Sequence, residues 1–118
     1  MTDSIIRYET SARMSKILVH QGIAYLAGVV AANRDADALA QTQDVLARID
    51  QYLASVGSDK SRLLTAQIWL RNIERDFQAM NQAWDAWVPL GAAPTRATCE
   101  ARLASPDLLV EIIVSAAV

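Results

Sequence analysis

The stretch PTRATCEARLASPDLLVEIIVSAAV, residues 94–118, carries two charges where a purely structural strand would not place them. If residues 95–103 form a strand, side chains alternate between faces. Arg96, Thr98, Glu100 and Arg102 then share one face, and Ala97, Cys99, Ala101 and Leu103 the other. Residues 108–118 are almost wholly apolar and rich in β-formers, yet Glu111 interrupts them, on one face with Leu109, Ile113 and Ser115. A carboxylate in a buried strand is costly unless it is paired, hydrogen-bonded or wetted by a cleft. Between the two runs, Ser105-Pro106-Asp107 is a turn signal, and its proline has no N–H for a central ladder. The pair reads as a terminal β-hairpin, with Arg96 and Glu111 as candidates for chemistry.

Working outward, 118 residues make one domain, residues 1–118, long enough to bury a real core. With 53% hydrophobic and 20% charged residues the composition is globular, and part of the apolar excess suits a subunit interface. The formal charge is −2, with no cluster of basic and aromatic residues, so no nucleic-acid partner is expected. MTDSIIRYET lacks the basic and apolar regions of a secretory leader, and no apolar run reaches membrane-span length. A cytoplasmic protein without a membrane partner is the expectation. A single cysteine, Cys99, and a single histidine, His20, exclude an internal disulfide and give no Cys/His metal set, so no metal site is predicted. Cys99 reads as a small core residue beside Ala97, Ala101 and Leu103.

Three β-like runs open the chain, at residues 5–9, 17–20 and 23–30, the last two joined by Gln21-Gly22, which suits a tight hairpin turn. From Leu39 the apolar spacing becomes three and four, through Thr42, Leu46, Ile49, Leu53 and Val56, predicting a helix stopped by Gly57. LLTAQIWL, residues 63–70, reads as a buried strand. A second helix carries the stripe Phe77, Met80, Trp84, Trp87 and Val88, with Asp76 in its first turn, and ends at Pro89 and Gly91. Trp84 and Trp87 read as packing residues. The predicted order is β-β-β-α-β-α-β-β, an α+β fold with two helices on one face of a single mixed sheet. Gln67, Trp69, Arg96, Thr98 and Glu111 are assigned to the uncovered face, which calls for a second subunit.

Pro94-Thr95-Arg96, followed fifteen residues after the arginine by Glu111, resembles the C-terminal signature of the reactive intermediate deaminase family, RidA or YjgF. Leu26-Ala27-Gly28, VGSDKSRLLTAQIWL and Asp76-Phe77 with Met80-Asn81 extend the resemblance over essentially the whole chain. It implies a chorismate-mutase-like fold, a homotrimer with a cleft at each subunit interface, and hydrolysis of reactive 2-enamine or 2-imine acids to 2-keto acids and ammonia. No metal or organic cofactor is implied. By the resemblance Arg96 binds the substrate carboxylate, Glu111 positions or activates water, and Asn81 and Gly28 line the site. Three positions depart: Thr98 stands at the family's cysteine, Ala27 at its serine and Met14 at its tyrosine. Thr98, Ala27 and Met14 remain substrate-binding candidates. The alternative reading is a trimer of the same fold that binds a keto acid or similar small carboxylate without turnover.

Overall fold

The computed structural model describes residues 4–118. Three antiparallel strands begin the chain: β1 (Ile6–Thr10), β2 (Ser15–His20) and β3 (Ile23–Leu26). Gln21 and Gly22 link the last two with φ of 51° and 78°. Two consecutive left-handed residues match the twist of a tight hairpin, and glycine takes one of them without steric cost. The run predicted over residues 23–30 is broken: β3 stops at Leu26 and β4 (Val29–Val30) resumes the pairing.

Helix α1 (Ala38–Ser55) is capped by Asp37, whose carboxylate accepts from the Ala40 amide at 2.9 Å. It buries Val45, Leu46, Ile49 and Leu53 and ends at Gly57, where φ is 78°. A 3-10 turn (Lys60–Arg62) leads into β5 (Leu63–Leu70). Helix α2 (Ile73–Trp87) starts at an Asn72 cap with Glu74 and Asp76 in its first turn, where acids favour the positive end of the helix dipole. It stops before Pro89. β6 (Thr95–Glu100) and β7 (Val110–Ala117) follow.

The strands form one mixed sheet, ordered β1-β2-β3-β7-β5-β6, with β4 also paired to β7. Ala24, Leu26, Ala66, Ile68, Val110, Ile112 and Val114 pack from the sheet onto Val45, Ile49, Leu53, Met80 and Trp84 of the two helices. That is the predicted α+β arrangement, with both helices on one face.

The terminal hairpin does not form. β7 is antiparallel to β5, and β6 is parallel to β5 on its other side, so β5 lies between the two runs read as partners. β5, α2 and β6 make a strand–helix–strand unit, and a helical crossover returns the chain parallel to its starting strand. The Ser-Pro-Asp turn sits instead in a connection over residues 101–109 that arches across the end of β5. Ala101 donates to the Leu70 carbonyl and Arg71 to that of Leu109, both at 3.0 Å, while the Arg71 guanidinium donates to the carbonyls of Arg102 and Ser105. Leu103, at φ 63°, lies in this arch rather than in β6.

Gln41, fully buried on α1, fixes where β7 begins. Its amide nitrogen donates to the carbonyls of Ala36 (3.1 Å) and Asp107 (3.0 Å), and its oxygen accepts from the Leu109 amide (3.0 Å). A buried amide is tolerable because both its ends are satisfied.

Candidate active site

Glu111 leaves the sheet on the side opposite its fully buried neighbours Val110 and Ile112, as strand alternation requires. What lies over it is a backbone irregularity. Tyr25 pairs with Ser115 and Val29 with Ile112, so three residues of one strand span two of the other. This is a β-bulge at Ala27–Gly28, a device that re-aims side chains beside functional sites. Gly28 approaches the carboxylate closely: a Cβ there would fall 2.9 Å from the Glu111 carboxyl carbon and nearer still to its Oε2. The glycine is therefore required by space, not by φ. Ala27 is tied to β2 through its amide, 2.9 Å from the Lys16 carbonyl. Met14, exposed, lies two residues before Lys16 at the same end of β2.

The Glu111 carboxylate has no hydrogen-bond or ion-pair partner among the described residues, and burial pushes its pKa up. Desolvation penalises the charged form and nothing opposes it here. A half-buried carboxyl with a raised pKa takes and returns a proton more readily near neutrality than an ordinary one.

Arg96 lies elsewhere. On β6 it stands in register with buried Ala66, which puts Arg96 and Thr98 on the helix side of the sheet, not on the uncovered side with Glu111 as the sequence led us to expect. Gln67, Trp69 and Glu111 do share the uncovered face. The face of β6 was misassigned because the hairpin was: parallel pairing to β5 fixes a different phase from antiparallel pairing to β7. From its position Arg96 reaches α2. Its Nη1 donates to Asn81 Oδ1 at 2.7 Å, and its guanidinium lies 5.6 Å from the centre of the Trp84 ring. Arg96 forms no ion pair with Glu100 or Glu111; the Glu100 carboxylate instead accepts from the Ile73 amide at the start of α2. Thr98, two residues along the same face, has a buried hydroxyl with no hydrogen-bond partner among the described residues.

Two clusters result: Arg96, Asn81 and Thr98 at the β6–α2 seam, and Glu111, Gly28 and Ala27 at the bulge. Through β5, Arg96 matches Val114 of β7, three residues from Glu111 and two strands across. At 3.3 Å per residue and 4.8 Å per strand that is about 14 Å, on opposite faces. One ligand of a few carbons cannot touch both within one protomer.

The family profile described as Endoribonuclease L-PSP (Ribonuc_L-PSP) matches residues 5–118. The chain belongs to this family. A RutC family protein of Haemophilus ducreyi is 47% identical over 114 residues, covering 97% of each chain. RutC family protein YoaB of Escherichia coli K12 is also 47% identical, over 115 residues, covering 98% of this chain and 99% of its own. Among solved structures, NMB1025 of Neisseria meningitidis, a member of the YjgF family, superposes with a TM-score of 0.93 at 44% identity, covering 98% of this chain and 95% of its own. A putative translation initiation inhibitor from Salmonella typhimurium gives 0.91 at 44% identity, covering 99% of this chain and all of its own.

Within this YjgF and RutC family frame, two features escaped the sequence. Trp84 reads as core packing, although its place three residues after Asn81 on one helix face puts both against Arg96. Cys99 was expected in the core; it is exposed, opposite Trp69 on the face away from the helices. Among the described residues no helix is long and apolar enough to cross a membrane, and no group of three or more His, Cys, Asp or Glu could hold a metal ion.

Proposed function

We propose that the protein is a homotrimer that hydrolyses small, reactive 2-imino acids to 2-keto acids and ammonia, in clefts that bring Arg96 of one subunit to Glu111 of the next. The observation that carries this reading is the division of the site into two half-sites on opposite faces, each holding one of the two charges the chemistry needs. The open sheet face supports assembly. Tyr25 and Leu64 are exposed there, and a cavity of about 400 Å³ is lined by Ile23, Tyr25, Leu64 and Ile113, the kind of apolar surface subunits cover.

In the cleft the Arg96 guanidinium takes the substrate carboxylate on its free N–H edge, a planar fork that a carboxylate fits. Asn81 and Thr98 flank it, and Ala27, Gly28 and Met14 wall the opposite half-site. Glu111 accepts a proton from water as the water oxygen bonds to the imine carbon. The C=N electron pair moves to the imine nitrogen, which takes that proton from Glu111 and becomes the amino group of a carbinolamine. Collapse of that intermediate forms C=O and breaks C–N, Glu111 carrying the carbinolamine hydroxyl proton to the nitrogen, which leaves as ammonia. Every step uses the chain's own residues.

The test generates an imine in situ with an amino-acid oxidase and follows its loss. Wild type is expected to exceed buffer, and Arg96→Ala and Glu111→Ala each to abolish the excess. Co-refolding the two variants at equal ratio should restore about a quarter of wild-type activity, because random mixing rebuilds that share of head-to-tail interfaces. No restoration would sink the shared site.

A second reading, keto-acid binding without turnover, is favoured by Thr98, Ala27 and Met14, which replace polar or ionisable family side chains. Stoichiometric pyruvate binding with no imine loss would establish it instead. The low net charge, −2, gives no support to an RNA partner.

A further inference from the structure

We propose that Trp84 is the positioning residue for Arg96, holding its guanidinium on an aromatic wall so that its charge stays free for an incoming carboxylate. This rests on the reading of Arg96 as the carboxylate-binding group. Arg96 is exposed, and a long exposed arginine ordinarily samples many rotamers. Here two neutral groups restrain it: the Asn81 amide oxygen takes one N–H at 2.7 Å, and the Trp84 ring takes the cation's face at 5.6 Å.

Neutrality matters. A carboxylate partner would fix the arginine but compete with the ligand, whereas an indole face attracts a cation without neutralising it. Four of five N–H donors are left for recognition.

The wall is itself anchored. Trp84 is 5% exposed and meets Trp87 at 5.4 Å with ring planes inclined by 50°. The Trp87 indole N–H donates to Asp50 of α1 at 3.0 Å, and Lys60 lies 5.5 Å over its ring. The aromatic pair thus links both helices to the arginine.

Two measurements separate positioning from packing. The first is calorimetric titration with pyruvate. Trp84→Leu should weaken binding about tenfold, Trp84→Phe about threefold or less, and Trp87→Leu, which loosens the wall without removing it, less than Trp84→Leu, since only the first ring meets the cation. In an Arg96→Ala background Trp84→Leu should cost nothing further. The second is the Arg96 Nε–Hε resonance, expected upfield under the Trp84 ring current in wild type and Trp87→Leu, and back at the ordinary position in Trp84→Leu. Equal losses in Trp84→Leu and Trp87→Leu, a full loss persisting without Arg96, or an unmoved resonance would each overturn the proposal. If Arg96→Ala leaves pyruvate binding intact, the carboxylate-site reading fails, and the resonance alone judges the positioning.

Discussion

At the β6–α2 seam Arg96 sits among named partners, an asparagine oxygen at 2.7 Å and an indole face, none of which carries charge. At the bulge Glu111 sits under Gly28 with no hydrogen-bond or ion-pair partner among the described residues, and its ionised form is resisted by burial. The cation is oriented by contacts, and the anion is tuned by its surroundings. The difference follows the chemistry proposed for each. A group that binds a carboxylate must keep its charge at every working pH and point one way. A group that moves protons must lose and regain its charge easily, which calls for a shifted pKa rather than a salt bridge.

The sharpest way to break this contrast is Gly28→Ala. The added Cβ would meet the Glu111 carboxylate, the mobile end of a side chain, while the backbone there lies outside the left-handed region and accepts alanine. The carboxylate must swing away and the fold can stay. Imine turnover is expected to fall about 100-fold, the cost of misplacing a reacting group by about 1 Å, with the pyruvate affinity held by Arg96 less affected. A melting temperature that collapses while residual activity per folded molecule is normal would show that the bulge serves the fold and not Glu111.

How much of this was readable beforehand also divides along the two clusters. The helix periods, the Gln21-Gly22 turn and the strand over residues 63–70 are local patterns, and they survive. The hairpin failed because Ser-Pro-Asp is a local turn signal, whereas strand order is decided by β5. Ala66, Ile68 and Leu70 of β5 are at most 5% exposed, and covering such a strand needs neighbours on both edges. With the hairpin went the face of Arg96, and with it the notion that both charges line one surface of one subunit. The bulge was invisible because Ala-Gly inside a β-like run looks like strand, and only the shift in pairing with β7 betrays it. Trp84 was hidden by its own type: a tryptophan on an apolar stripe is core by default, and its second role depends on a strand eleven or more residues downstream.

Glu111→Gln tests the tuned half directly. Its folded pKa is raised, so the folded state holds the proton to higher pH than the unfolded chain does. The stability contributed by the protonated group is full below the unfolded value of about 4.3 and is lost as pH rises through the folded value. Glutamine keeps the shape without the charge. The variant is therefore expected to be more stable than wild type at neutral pH, with the advantage vanishing in denaturation curves taken below about pH 4. Wild-type imine turnover should rise with pH along a limb whose midpoint lies above the ordinary carboxylate range, and the limb should be absent from the variant. A variant less stable than wild type at neutral pH, with the deficit vanishing toward acid, would mean that Glu111 is held by a favourable partner, and the contrast with Arg96 would dissolve.

The smallest effect expected is also the one that separates binding from folding most cleanly. Thr98 shares its strand face with Arg96, yet its buried hydroxyl has no hydrogen-bond partner among the described residues. A buried, unsatisfied hydroxyl costs the free protein about 1 to 3 kcal/mol, and valine replaces it with the same shape. If packing were all that Thr98 did, Thr98→Val would simply be a better protein. If the hydroxyl awaits a polar atom of the ligand, the variant should melt a few degrees higher when free and bind pyruvate several-fold more weakly. The two observables move in opposite directions only if the unpaired hydroxyl is completed on binding. A gain in stability with unchanged affinity would confine the recognition at this seam to Arg96 and the groups that hold it.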